Sequence, residues 1–215
     1  MSAILKNIET IQHSIPNHIQ IVLATKYASI DDIGLISNAF PEITFGENRV
    51  QHGQEKQIAY PNIKNPWHFI GHLQRNKVKK VIENYSLIHS VDSLRLLTEI
   101  NTAAEKQGLQ AQVLLQVNPI NEETKFGFSI EEVYNALTQT KTLKNITLSG
   151  LMCMAPHTDN KSTIRKTFKK TRELYDNIKI SHAQFNHLSM GMSNDYQIAI
   201  DEGSTMIRIG SIIFK

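Results

Sequence analysis

Residues 185–211 read FNHLSMGMSNDYQIAIDEGSTMIRIGS, and this stretch decides the fold. It opens with a strand over 185–188 and closes with another over 206–209, apolar except for Arg208. Between them the small residues Ser189, Gly191 and Ser193 lead into a helix over 195–201, with Ser193 or Asn194 as its cap. Strand, helix and strand in this order are the unit of a parallel sheet with helices on its face.

Working outward, the same alternation recurs. Further strands are expected at 21–25, 43–46, 67–70, 87–91, 112–117 and 147–153. They are rich in Val, Ile, Leu and Phe with little polar alternation, as parallel strands buried on both faces should be. Helices fit between them at 31–40, 73–83, 92–107, 130–140 and 163–178, with an extra one at 4–13. Ile33, Leu35 and Ile36 mark one face, Leu94, Leu97 and Ile100 another, and Ser29, Asp92 and Ser129 read as caps. Eight strands in 215 residues fit a closed (β/α)₈ barrel better than an open sheet. The pattern alone also admits seven strands or a doubly wound sheet. The longer loops fall at 119–125 and 155–162, and nothing reads as a linker, so one domain over 1–215 is expected.

Composition narrows the class. With 40% hydrophobic and 20% charged residues the chain is an ordinary globular one. A net charge of +3 suits an anionic small molecule and falls short of a nucleic-acid binder's footprint. The single cysteine, Cys153, excludes an internal disulfide framework and suits a reducing compartment. No apolar run approaches the roughly 18 residues of a membrane span. Lys6, Glu9 and His13 interrupt what a signal peptide would need. A soluble, cytoplasmic protein is expected.

In a parallel barrel, chemistry gathers at the carboxyl ends of the strands. Lys26 stands there, at the end of IVLAT. Desolvated near other cations, it would be an amine nucleophile toward an aldehyde; otherwise it is a solvated strand end. The turn 189–193 before a helix N-terminus could cradle a phosphate, or be a plain capped loop, and Asp195 counts against a bare anion site. Arg208 interrupts an apolar strand, so it points into the mouth or outward to a helix carboxylate. Gly210 and Ser211 would add two amides beside it. FGENRVQ, 45–51, places Glu47 and Asn48 at the mouth, or is a helix N-terminus with Glu47 favouring its dipole. Other constellations are weak. His68 and His72 form no HExxH motif, Ser193 lacks a GxSxG elbow, and no GxGxxG or Walker lysine motif is present. Cys153 and Trp67 read as packing, and RNKVKK, 75–80, as a solvated helix face.

ATK with Lys26, FGENRVQ, WHFIGHLQRNK, IHSVDS, LLQVN, KFGF, GLMCMAP and LSMGMSNDYQIAIDEGSTMIRIG stand in one order over most of the chain. In these motifs the chain resembles the pyridoxal phosphate homeostasis proteins, whose fold is similar to the barrel domain of alanine racemases. The resemblance implies a fold type III-like barrel without the racemases' second β domain. It implies pyridoxal 5′-phosphate (PLP) as cofactor, held as a Schiff base on Lys26. Ser189, Met190, Gly191 and Ser193, with Arg208, Gly210 and Ser211, then fall in the phosphate- and ring-binding segments, with Asn48 beside them. Arg208 would face the pyridine nitrogen and leave it unprotonated, which weakens the ring as an electron sink. Tyr27 adjoins Lys26, but neighbours on an extended segment point to opposite sides. A PLP carrier without turnover is therefore expected, a monomer whose protein partners are PLP-requiring apoenzymes, with neither nucleic acid nor membrane. The alternatives are a racemase-like PLP enzyme and a barrel enzyme acting on a phosphorylated metabolite.

Overall fold

The β-branched and apolar runs form eight strands in a computed structural model that describes residues 2–122 and 125–215. They are β1 (Gln20–Ala24), β2 (Thr44–Glu47), β3 (Trp67–Phe69), β4 (Leu87–Val91), β5 (Ala111–Val117), β6 (Ile146–Cys153), β7 (His187–Met192) and β8 (Met206–Ile209). Each pairs in parallel with the next, and β8 returns to β1 with Arg208 opposite Val22, closing the ring. The barrel reading holds; the open sheet and the seven-strand count do not.

Around the ring lie α1 (Ala3–Ser14), α2 (Ile30–Ala39), α3 (Val50–Ala59), α4 (Val78–Asn84), α5 (Leu94–Gln107), α6 (Ile130–Thr140), α7 (Lys161–Lys179), α8 (Tyr196–Asp201) and α9 (Ser211–Phe214). Ser29 and Ser129 form capping boxes with Asp32 and Glu132, satisfying the first amides of α2 and α6. α5 is capped by Ser93 rather than Asp92, and the cap position of α8 is Asp195 rather than Ser193 or Asn194. Two helices are additional to those expected. α3 escapes the apolar pattern because its buried residues are Val50, Gly53 and Lys56, and α9 is a single turn. β7 runs to Met192, so Ser189, Met190 and Gly191 are strand, not loop; the polar Ser189 and the side-chain-free Gly191 hide it from a hydrophobicity reading. The expected loop 119–125 includes residues 123 and 124, which lie outside the described residues.

The core has two layers. Between sheet and helices pack the outward-facing side chains, Leu23, Phe45, Phe69 and Trp67 among them. Inside the ring, Val22, Leu87, Leu114, Met152 and Met206 form a separate apolar floor, with Ile70 and Met154 packed against it. His68, His89, Ser189 and Arg208 are also buried, which makes part of the interior polar.

Tyr85 shows what such polarity can cost. Its ring packs edge-on against Phe69, and Gly53 makes room for its hydroxyl, which any Cβ there would overlap. That hydroxyl is buried with no hydrogen-bond partner among the described residues. An unpaired buried hydroxyl costs about 1–3 kcal/mol. Tyr85→Phe should therefore raise the melting temperature by a few degrees, at about 2–4 °C per kcal/mol. A lowered midpoint in a thermal melt would mean that the hydroxyl has a partner after all.

Candidate functional site

Arg208 points into the barrel. It is 5% exposed, Nη1 donates to the Ser189 carbonyl at 2.9 Å and to Ser189 Oγ at 2.5 Å, and Nη2 donates to the Cys153 carbonyl at 3.0 Å. The outward alternative, pairing with a helix carboxylate, is overturned. Burial lowers its pKa to about 10, so the guanidinium keeps its proton at neutral pH. Among the described residues Nε has no partner, which leaves the guanidinium donors for a ligand.

From Ser189 the hydrogen bonds continue across the interior. Ser189 Oγ lies 3.1 Å from His89 Nδ1, and His89 Nε2 lies 3.1 Å from His68 Nδ1. Ser189 accepts from Arg208, so it donates to His89, and His89 then donates to His68. This order needs both imidazoles neutral. Burial, with a neighbouring imidazole, drives the His68 pKa down to about 3 and that of His89 well below the usual value. The chain of bonds thus begins at one fixed positive charge and spreads none of it.

The turns after β7 and β8 meet beside this column. Gly210 N donates to Ser193 Oγ at 3.2 Å, and Asp195 Oδ1 accepts from Met192 N at 2.6 Å. Gly191 has φ +91°, and a Cβ there would come within 2.6 Å of Ala199, so only glycine lets α8 pack on β7. At Gly210 a Cβ would press on Ala24 Cβ and its carbonyl at 3.1 Å, which sets this glycine against the end of β1. Ser211 opens α9, where backbone amides have no helical acceptor. The Met190 side chain packs in the outer layer, and its carbonyl accepts from Ser204 Oγ at 2.9 Å.

Lys26 follows β1 in a 3₁₀ turn, Thr25–Tyr27, and is exposed rather than desolvated. Because the segment is a turn and not extended, Tyr27 does not point away: Lys26 Nζ lies 4.6 Å from the centroid of its ring, and Lys215 Nζ lies 4.7 Å from it. Both lysines lower the Tyr27 pKa, Lys26 most through a hydrogen bond. Asn48 is exposed at the end of β2. Glu47 is not at the mouth. It is buried against α3, paired with Lys56 at 2.8 Å, and Lys56 escaped the sequence reading because a lysine in a helix ordinarily reads as solvated.

Two more groups were not foreseen. Phe126, in the β5–α6 loop, stacks on His72 with centroids 4.5 Å apart, and His72 lies 3.3 Å from Asp92. Lys125 donates to the Ala155 carbonyl at 2.5 Å, tying that loop to the end of β6. Cys153 is fully buried, its thiol pushed up to about 11, so the packing reading holds for its side chain while its carbonyl serves Arg208. Among the described residues no cluster suits a metal ion, and no helix is long and apolar enough to cross a membrane.

Comparison with known proteins follows this geometry. The family model "Alanine racemase, N-terminal domain" matches residues 1–215. The pyridoxal phosphate homeostasis protein of Aquifex aeolicus is 42% identical over 171 residues, 79% of this chain and 75% of that protein. That of Helicobacter pylori is 37% identical over 219 residues, 100% of this chain and 96% of its own. Among solved structures, PipY of Synechococcus elongatus with PLP bound superposes with a TM-score of 0.90 at 29% identity, covering 99% of this chain and 100% of PipY. An alanine racemase of Clostridium difficile reaches a TM-score of 0.80 at 20% identity and matches this barrel over 56% of its chain, a likeness of fold.

Proposed function

Since the chain belongs to the pyridoxal phosphate homeostasis proteins, within the alanine racemase N-terminal-domain family, we propose that it holds PLP at the carboxyl end of its barrel, on Lys26. The observation that carries this reading is the inward Arg208, a fixed cation with a free donor beside the Ser193–Gly210 contact. The residues fit the group. Ser193 Oγ, held by the Gly210 amide, and the amide of Ser211 would take the phosphate, and Arg208 would donate to the ring nitrogen. Ser189 holds Arg208 in place, Gly191 seats α8, and Asn48 and Met190 belong to rim and wall.

Bound PLP supplies an aldehyde that an amine can capture and a ring that withdraws electrons. The Lys26 amine, exposed at the rim, is the nucleophile for that aldehyde. Arg208 keeps its proton, so beside a bound ring nitrogen it would leave that nitrogen without one and weaken the ring as a sink. Tyr27 shares a turn with Lys26 and does not oppose it as a second base. These features favour a carrier over a turnover enzyme. The exposed lysine also leaves the cofactor open to PLP-requiring apoenzymes, for a monomeric protein of one domain in the cytoplasm, without nucleic acid or membrane partners.

The test is spectroscopic and kinetic. Protein mixed with PLP should show visible absorption that borohydride removes, and amino-acid racemisation, transamination and decarboxylation should stay far below about 1 s⁻¹. Turnover at that level would reinstate the racemase-like alternative.

The cradle has its own test. Gly210→Val would force side-chain atoms against Ala24, and PLP should dissociate at least about tenfold faster, since a misplaced contact is costly. Gly108→Val meets open space but sits at φ +63°, so it should cost about 1–2 kcal/mol of stability without loosening PLP. Equal loss of PLP from the two variants would remove Gly210 from the site.

A further inference from the structure

Lys56 lies on the buried face of α3, 6% exposed, where an apolar side chain would ordinarily pack. Its Nζ donates to Glu47 Oε2 at 2.8 Å and to the Thr25 carbonyl at 2.6 Å. Thr25 immediately precedes Lys26 and opens its 3₁₀ turn; the same carbonyl accepts from Ala28 N at 2.9 Å and so closes that turn. Glu47 Oε2 also accepts from Thr25 Oγ1 at 2.9 Å, and Oε1 accepts from the amides of Asn48 at 2.8 Å and Arg49 at 3.3 Å. One buried ion pair therefore grips the turn after β1 and the start of the loop after β2.

Stability alone does not account for it. Desolvating both charges is expensive, and volume-matched apolar side chains often give an equally stable protein. What an apolar pair cannot do is hold the Thr25 carbonyl. We propose that Lys56 and Glu47 are positioning residues for Lys26: they fix the backbone from which its side chain springs, so that the amine meets the aldehyde from a restricted set of orientations. This rests on the reading that Lys26 carries PLP. The expected gain is one of preorganisation, since the exposed four-carbon side chain touches Tyr27 at its tip and the buried pair holds its root.

Lys56→Met alone strands the Glu47 carboxylate in the interior and is expected to unfold the protein. The informative variant is Glu47→Gln with Lys56→Met, which removes both charges and the bond to Thr25 at nearly constant volume. It should melt close to the wild type, trap the pyridoxyl group on Lys26 under borohydride about tenfold more slowly or worse, and exchange the Ala28 amide faster even without PLP. Tyr85→Phe, which touches the same cluster without bonding Thr25, should keep the wild-type rate. An unchanged rate or unchanged Ala28 exchange in the double variant overturns the proposal, and so does a double variant that fails to fold, because the pair is then structural. Absence of label on Lys26 in the wild type would instead bring down the underlying reading, and this proposal with it.

Discussion

Lys26→Ala is expected to abolish the visible absorption of the PLP-loaded protein and to leave its fold intact. Among the proposed cofactor contacts, the lysine amine is the only one that forms a covalent bond; the rest are hydrogen bonds that survive its removal. Its side chain is exposed and lies over Tyr27, so its loss should change stability by no more than about 0.5 kcal/mol. Peptide mapping after borohydride reduction of the wild type is the decisive measurement. Lys215 makes that mapping necessary, because its amine lies over the same tyrosine ring, 4.7 Å from the centroid. A pyridoxyl group found on Lys215, or on any lysine but Lys26, would end the central proposal.

Arg208→Glu should destabilise the barrel strongly. In the wild type the guanidinium donates to two carbonyls and a hydroxyl inside the ring. A glutamate would set a carboxylate against those same carbonyls, stripped of water, with the Ser189 hydroxyl as the one group of that set able to donate. Uncompensated buried charges cost about 3–5 kcal/mol, and at about 2–4 °C per kcal/mol the midpoint should fall by about 10 °C or more. Arg208→Gln is the gentler probe. Its amide can still donate to the Ser189 carbonyl, so it should fold, attach PLP to Lys26 and release it faster. A glutamate variant that melted like the wild type would show that Arg208 does not hold the interior together.

Much of the barrel was legible because strands buried on both faces carry their Val, Ile and Leu in compact runs, with capped helices between them. Legibility failed where burial is not apolar. Ser-Met-Gly-Met, 189–192, continues β7, yet it read as a loop because Ser189 faces the polar Arg208 and Gly191 gives up its side chain to let α8 pack close. α3 was readable only as an alternative helix start at 45–51, and its body was hidden for the same reason, since its inner face is Val50, Gly53 and Lys56. For the proposed site, the sequence offers the chemical types of Lys26, Ser193, Arg208 and Gly210 but not their orientation. Arg208 had two possible directions until Met192 and Val22 were known to flank it. His68 and His89 lie on neighbouring strands, and only the pairing of β3 with β4 makes them partners.

The pairing of β1 with β8 also has a consequence in time. Translation runs from the amino terminus at about 5–20 residues per second, so Lys26 leaves the ribosome tens of seconds before Arg208 and Gly210. Throughout that interval the nascent chain carries the proposed PLP-binding amine with no guanidinium or glycine turn beside it, and an aldehyde captured there would escape by hydrolysis. Only when the last strand slots in next to the first do the pieces of the proposed site become neighbours. Occupancy by PLP would therefore report finished molecules and ignore fragments, a form of proofreading that follows from where the ring happens to close.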